Sequence, residues 1–169
     1  MIYIGAIFLF IASLVQSVVL PQAVPISARP QFVVLVVVAV CLIEGLYDAT
    51  IWAFVGGLML DLMNSPTYPI GSNALILVLV ALFASLGQAN PFHNLLFVPL
   101  TTVFFGTIFY YVLNMGLLVA LGHGEIAFLD NLLRIAVPGA VLNAILMPVV
   151  YSIMLWLSEK VGRRVRVEW

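Results

Sequence analysis

A chain of 169 residues that is 64 % hydrophobic and 8 % charged, with a mean hydropathy of +1.23, excludes a soluble domain. So small a domain must turn much of its surface to water. A net charge of −1 gives no electrostatic footprint for nucleic acid, and the only basic cluster is the C-terminal tail. Long runs of Leu, Val, Ile and Phe without period-2 alternation exclude an outer-membrane barrel, which leaves an all-α, polytopic integral membrane protein with one domain.

The first stretch, "MIYIGAIFLFIASLVQSVVL", lacks a basic start and a small-residue cleavage site, so it reads as a membrane helix over 2–20 rather than a signal peptide. A loop follows at 21–30, with prolines at 21, 25 and 30. Residues 31–63 form one apolar region interrupted by Glu44 and Asp48. As a single helix it would run about 50 Å and hold both carboxylates near the membrane centre, at roughly 2.5–3.5 kcal/mol each. A break at Gly45 gives spans over 31–46 and 48–63 instead, with Glu44 and Asp48 at one interface and Asp61 near the other. Cys41 is the only cysteine and reads as a buried, inert thiol.

"SPTYPIGSN", 65–73, is a turn, and a fourth span covers 73–87. After the loop "GQANPFHN" a long run over 94–121 must tilt, kink near Pro99 or enter the headgroups, and Gly122 is placed to cap it. The last span covers 131–158 and contains Pro138 and Pro148; a short tail over 159–169 ends the chain. That makes about six spans. The tail carries four of the six basic residues, so the positive-inside rule places the C-terminus, and with an even span count the N-terminus, in the cytoplasm. Glu44 and Asp48 then face the cytoplasm, while Arg29, Asp61, Glu125 and Asp130 lie toward the outer side.

Gly57 and Asp61 are four apart and share a helix face; Gly56 and Gly57 admit a second backbone closely. The Asp61 carboxylate is expected either to pair with a donor on a neighbouring helix or to end the span in water. Arg134 is expected to snorkel or to pair with Asp61, Asp130 or Glu125. Asn114, Tyr110 and Tyr111 place polar atoms within the fifth span, where hydrogen bonds join helices. Ala81/Ser85 and Ala140/Ala144 read as packing seams. His93 and His123 fall in different loops, and no clustered metal-ligand set or nucleophile motif is present, so neither metal, cofactor nor enzymatic activity is expected.

The order of the central motifs carries a resemblance. Arg29, Pro30 and Phe32 open an apolar helix; Gly57, Leu58, Asp61 and Leu62 follow; then, after a turn, come Gly71, Ala74 and Leu75. This resembles the bacterial rod shape-determining protein MreD family, with its R-P-x-[FW], G-L-x-x-D-L and G-x-x-A-L series. Over the last 80 residues the likeness is one of hydropathy only, and the acidic Glu44–Asp48 turn departs from the family, where proline or a basic residue is common. The resemblance implies a non-catalytic inner-membrane scaffold of the cell-elongation complex. Its implied partner is the single-span protein MreC, and through it MreB filaments, RodA and a class B penicillin-binding protein; homodimer formation is left open. It also implies a fold similar to the substrate-binding subunits of energy-coupling-factor transporters, and with it the alternative of a vitamin-like small-molecule binding subunit. Arg29, Pro30, Gly56, Gly57, Asp61, Gly71 and Arg134 are the candidate partner or packing residues.

Overall fold

The computed structural model describes residues 9–19, 30–63, 69–88, 97–122 and 128–160. Among them every regular element is helical. Helix α1 covers residues 9–19 and finishes in a π-helical turn, Val15–Val19. Then come α2 (Phe32–Glu44), α3 (Leu46–Met63), α4 (Ser72–Gln88) and α5 (Phe97–Ala120). The last run, α6, is continuous: Phe128–Asn131, a π-helical Leu132–Ala136, then Val137–Lys160.

The acidic interruption after "FVVLVVVAVCLI" is resolved by one residue. Gly45 has φ of +102°, a backbone state that a side chain disfavours, and it alone separates α2 from α3. Its N–H donates to the Cys41 carbonyl and its carbonyl accepts from the Ala49 N–H, each at 3.1 Å, so the reversal leaves neither group unpaired. Glu44 thus closes one helix and Asp48 opens the next. The two carboxylates do not stack one turn apart on a single helix.

Helix α2 is the centre of the bundle. Every residue from Val33 to Leu42 is buried, as an apolar face on all sides requires. It packs against α3, α4, α5 and α6. Gly106 of α5 marks a crossing, because a Cβ there would lie 3.7 Å from Val38 of α2 and 3.8 Å from Val80 of α4. The Cys41 thiol points at the Ala81 carbonyl, 3.5 Å away, and Ala81 and Ala84 are fully buried on the same seam. In lipid no hydrophobic gain drives such contacts, so close packing and hydrogen bonds must hold the helices together.

Two prolines shape α6. Pro138 lies two residues past the π-helical turn, which accommodates a ring that cannot donate to the preceding turn. Pro148 lies inside the helix, and the Ser152 hydroxyl donates to its carbonyl at 2.8 Å. The outward faces carry Ile51, Phe54, Leu75, Leu86, Phe105 and Ile145, all exposed. Leu46–Met63, Phe97–Ala120 and Leu132–Lys160 are long and apolar enough to cross a membrane; α1, α2 and α4 are apolar but shorter.

The contrast between centre and periphery predicts a measurable asymmetry. Leu35→Ala, at a site with no exposure, is expected to lower stability by about 2 kcal/mol through the cavity it leaves, the low end of the range for buried leucines. Leu75→Ala, at a site 64 % exposed, should change it by less than about 0.5 kcal/mol. Unfolding midpoints in detergent micelles compare the two.

Candidate functional site

A helix that begins inside a bundle presents N–H groups with no intrahelical acceptor. Helix α4 begins this way, and α3 supplies the acceptor. The Asp61 carboxylate accepts from the backbone N–H of Gly71 at 2.9 Å, of Asn73 at 3.1 Å and, less closely, of Ala74 at 3.4 Å. The Asn73 side-chain amide donates to the same carboxylate at 2.8 Å. An anion therefore sits at the positive end of α4, where hydrogen bonds and the helix dipole both favour it. Gly71, at φ of +100°, turns the chain so that its own N–H joins the set.

Gly57 sets the distance over which this works. A Cβ on Gly57 would lie 2.2 Å from the Ala74 Cα and 2.5 Å from its nitrogen, so bare backbone meets backbone one turn below Asp61. Gly56 faces the other way, toward Val33 of α2 and Leu9 of α1. The paired glycines thus seat α3 against three neighbours at once, α4 on one side and α1 and α2 on the other.

A second capped start belongs to α2. The Gln31 N–H donates to Asn143 Oδ1 at 2.9 Å, and the Val33 N–H donates to Gln16 Oε1 at 3.1 Å. The Gln16 side-chain amide also donates to Gln31 Oε1, while Gln31 Nε2 donates to the Tyr111 hydroxyl at 3.1 Å. Asn143, fully buried, donates to Thr107 at 2.9 Å, and the Thr107 hydroxyl returns to the Val103 carbonyl. Three other helices, α1, α5 and α6, therefore close the N-terminus of α2.

Two consecutive tyrosines on α5 join the two caps. The Tyr110 hydroxyl donates to Asn73 Oδ1 at 2.9 Å, and Tyr111 accepts from Gln31, with the rings edge-on at 5.8 Å. Tyr111 also lies over Gly139 of α6, where a Cβ would stand 3.2 Å from its ring and hydroxyl. Nearby polar atoms behave differently: Ser13 Oγ, Ser17 Oγ and Asn114 Nδ2 are buried without a partner among the described residues.

Arg134 takes no part in this arrangement. It pairs with Asp130, one turn earlier on its own helix, at 2.6 Å, with both side chains more than half exposed. The expected option of an Arg134–Asp61 contact is corrected accordingly, because Asp61 is already engaged by donors of α4 and Arg134 by its own neighbour. So exposed a pair contributes little to stability. Pro30 precedes the α2 cap and is partly buried; Arg29, Glu125, His93 and His123 lie outside the described residues. Among the described residues no group of three His, Cys, Asp or Glu is placed to hold a metal ion. Sequence reasoning passed over Gln16, Gln31, Asn73, Thr107 and Asn143. For Gln16 and Asn143 a signal existed, since each is an isolated amide inside an apolar helix.

Removing the cap should be graded by how many acceptors remain. Asp61→Asn keeps one oxygen and is expected to cost about 1–3 kcal/mol, with Asp61→Ala costing more, since buried N–H groups then lack any partner. Gly57→Ala is expected to be comparably damaging, because backbone cannot rotate away, whereas Gly116→Ala, with open space around it, should be neutral or mildly stabilising. The Gly57→Ala/Asp61→Ala double variant should lose less than the sum, since either change opens the same α3–α4 contact. Thermal unfolding of the four single variants and the double variant measures all of this.

Comparison with curated proteins and with solved structures finds no match to the chain in either set. A family model does match: that described as rod shape-determining protein MreD, over residues 1–161. The match includes Gly57, Asp61, Gly71 and Ala74, which meet at the α4 cap, and it runs through α5 and α6 to the end of the described chain. This chain belongs to the MreD family of rod shape-determining proteins.

Proposed function

We propose that the protein acts in rod-shape determination as a non-catalytic inner-membrane scaffold, binding MreC and through it influencing peptidoglycan synthesis. The match to the family over residues 1–161 carries this reading. The packing agrees with it. Both motif glycines and the Asp61 carboxylate are spent on holding helices in place, which suits a rigid platform whose partners meet its outer faces. In this reading the chain crosses the membrane six times with both termini cytoplasmic, and Asp61 lies toward the outer side. MreB filaments, RodA and a class B penicillin-binding protein are reached through MreC rather than touched directly.

A second reading, a small-molecule binding subunit, draws its support from Ser13, Ser17 and Asn114, whose buried polar atoms lack partners within the described residues. One experiment separates the two. The full chain, tagged at its C-terminus, is purified gently from native membranes, and its proteins and small ligands are identified by mass spectrometry. The scaffold reading expects MreC in near-equal amount and no bound metabolite. Recovery of a vitamin-like ligand together with an ATPase module, and without MreC, would replace it with the second reading.

A further inference from the structure

The exposed face of α6 changes character at its last turn. Ile145, Val149 and Trp156 are 66 %, 59 % and 54 % exposed, and their helical spacing keeps them on one stripe. On a membrane-spanning helix such a stripe meets lipid chains. Lys160, one turn beyond Trp156, stands exposed on the same stripe, and its ammonium lies over the Trp156 ring, 4.1 Å from the centroid. Among the described residues no ion pair joins it to Glu159 or to any other carboxylate. Arg163, Arg164 and Arg166 follow, so 159–169 holds four basic residues against two acidic ones.

The depth of this turn follows from the register of the helices. Gly139 lies against Tyr111 and Asn143 bonds Thr107, so α6 runs antiparallel to α5. Gly106 lies against Val38 and Tyr111 bonds Gln31, so α5 runs antiparallel to α2. Helices α2 and α6 are therefore parallel, and they are level at Gln31 and Asn143. About 20 Å farther along each, Glu44 ends α2 and Trp156 is reached on α6. Trp156 is thus level with the Glu44–Asp48 reversal, where carboxylates need water. Tyr47, 79 % exposed, stands at the same level, and exposed aromatic rings belong at the membrane–water boundary. Lys160 lies about 6 Å farther out, among the lipid phosphates.

We infer that the end of α6 is a binding site for anionic phospholipid, with Lys160 meeting the phosphate and Trp156 packing beside the glycerol. The indole holds the ammonium against the helix at phosphate depth instead of letting it extend into water. An ammonium is a compact charge with three donors, which suits a phosphate approached from many directions. A phosphatidylcholine phosphate carries its own choline cation and gains less from Lys160 than an anionic lipid does. Arg163, Arg164 and Arg166 add charge near the same surface, where each basic residue strengthens attraction to anionic lipid about fivefold. This site presupposes that α6 spans the membrane, and it is independent of any protein partner.

Its test uses the full chain with Trp52→Phe and Trp169→Phe, which leaves Trp156 as the only tryptophan. Its fluorescence is quenched in vesicles that mix phosphatidylglycerol with phosphatidylcholine, with bromine on the chains of one lipid and then of the other. The ratio of the two gives the relative affinity at this site. A preference for phosphatidylglycerol of about fivefold or more is expected, kept in Lys160→Arg and reduced about fivefold in Lys160→Gln. Equal quenching by the two lipids, or a preference unchanged in Lys160→Gln, overturns the site. A preference that emerges only after Glu44→Gln and Asp48→Asn also overturns it, because the basic residues are then held by the acidic turn of the same chain. Trp52 is partly buried, so lipid retained by the unaltered chain and by its Lys160→Gln variant is also counted by native mass spectrometry. The variant is expected to lose a bound phosphatidylglycerol, and an unchanged count overturns the site. Failure here leaves co-purification with MreC unaffected, so the two ideas fall separately.

Discussion

Unpaired N–H groups at the start of a buried helix dominate this architecture. In water they would be solvated at little cost, but inside a helical bundle in lipid each needs an acceptor supplied by the protein. Two helices, α2 and α4, begin at part-buried turns, and most of their first N–H groups find acceptors on other helices, although the Ser72 N–H donates to the Pro69 carbonyl of its own turn. Asp61 serves one; Gln16 and Asn143 serve the other. The acceptors come from neighbouring helices, so capping and tertiary packing are the same event. A helix cannot shift without uncapping its neighbour.

That requirement explains why small and polar residues sit where they do. The carboxylate of Asp61 reaches the α4 amides only because Gly57, one turn away, lets the two backbones touch. Asn143 reaches the Gln31 N–H while its own amide is held by Thr107. Each polar atom within these caps has a partner whose position depends on another contact. The interior of α2 adds the converse: between Val33 and Leu42 only the Cys41 thiol makes a polar contact, so its orientation is set mainly from its ends and by shape.

Much of the fold was legible in the sequence, because hydropathy and breaker residues report directly on span and turn. The break at Gly45 followed from the cost of central carboxylates, and the interhelical use of Gly57 from its spacing to Asp61. What Asp61 would bind was less legible. Its acceptors' partners are backbone N–H groups of the next helix, and backbone carries no sequence signature; a charged residue such as Arg134 was the visible candidate, yet it pairs locally with Asp130. The α2 cap was hidden for another reason. It assembles Gln16, Tyr111 and Asn143 from three distant parts of the chain, and nothing local in any of them points to the others.

The adjacency of Tyr110 and Tyr111 has a mechanical consequence. Consecutive residues on an α-helix project about 100° apart, so the two hydroxyls grip different neighbours from one short length of α5. Turning α5 about its axis moves both hydroxyls together, so the bonds to Asn73 and to Gln31 are disturbed at once. The helix behaves like a spindle pinned at two points one residue apart. Torque applied to its far end, near Ala120, is resisted at the tyrosines and delivered to the starts of α2 and α4 together.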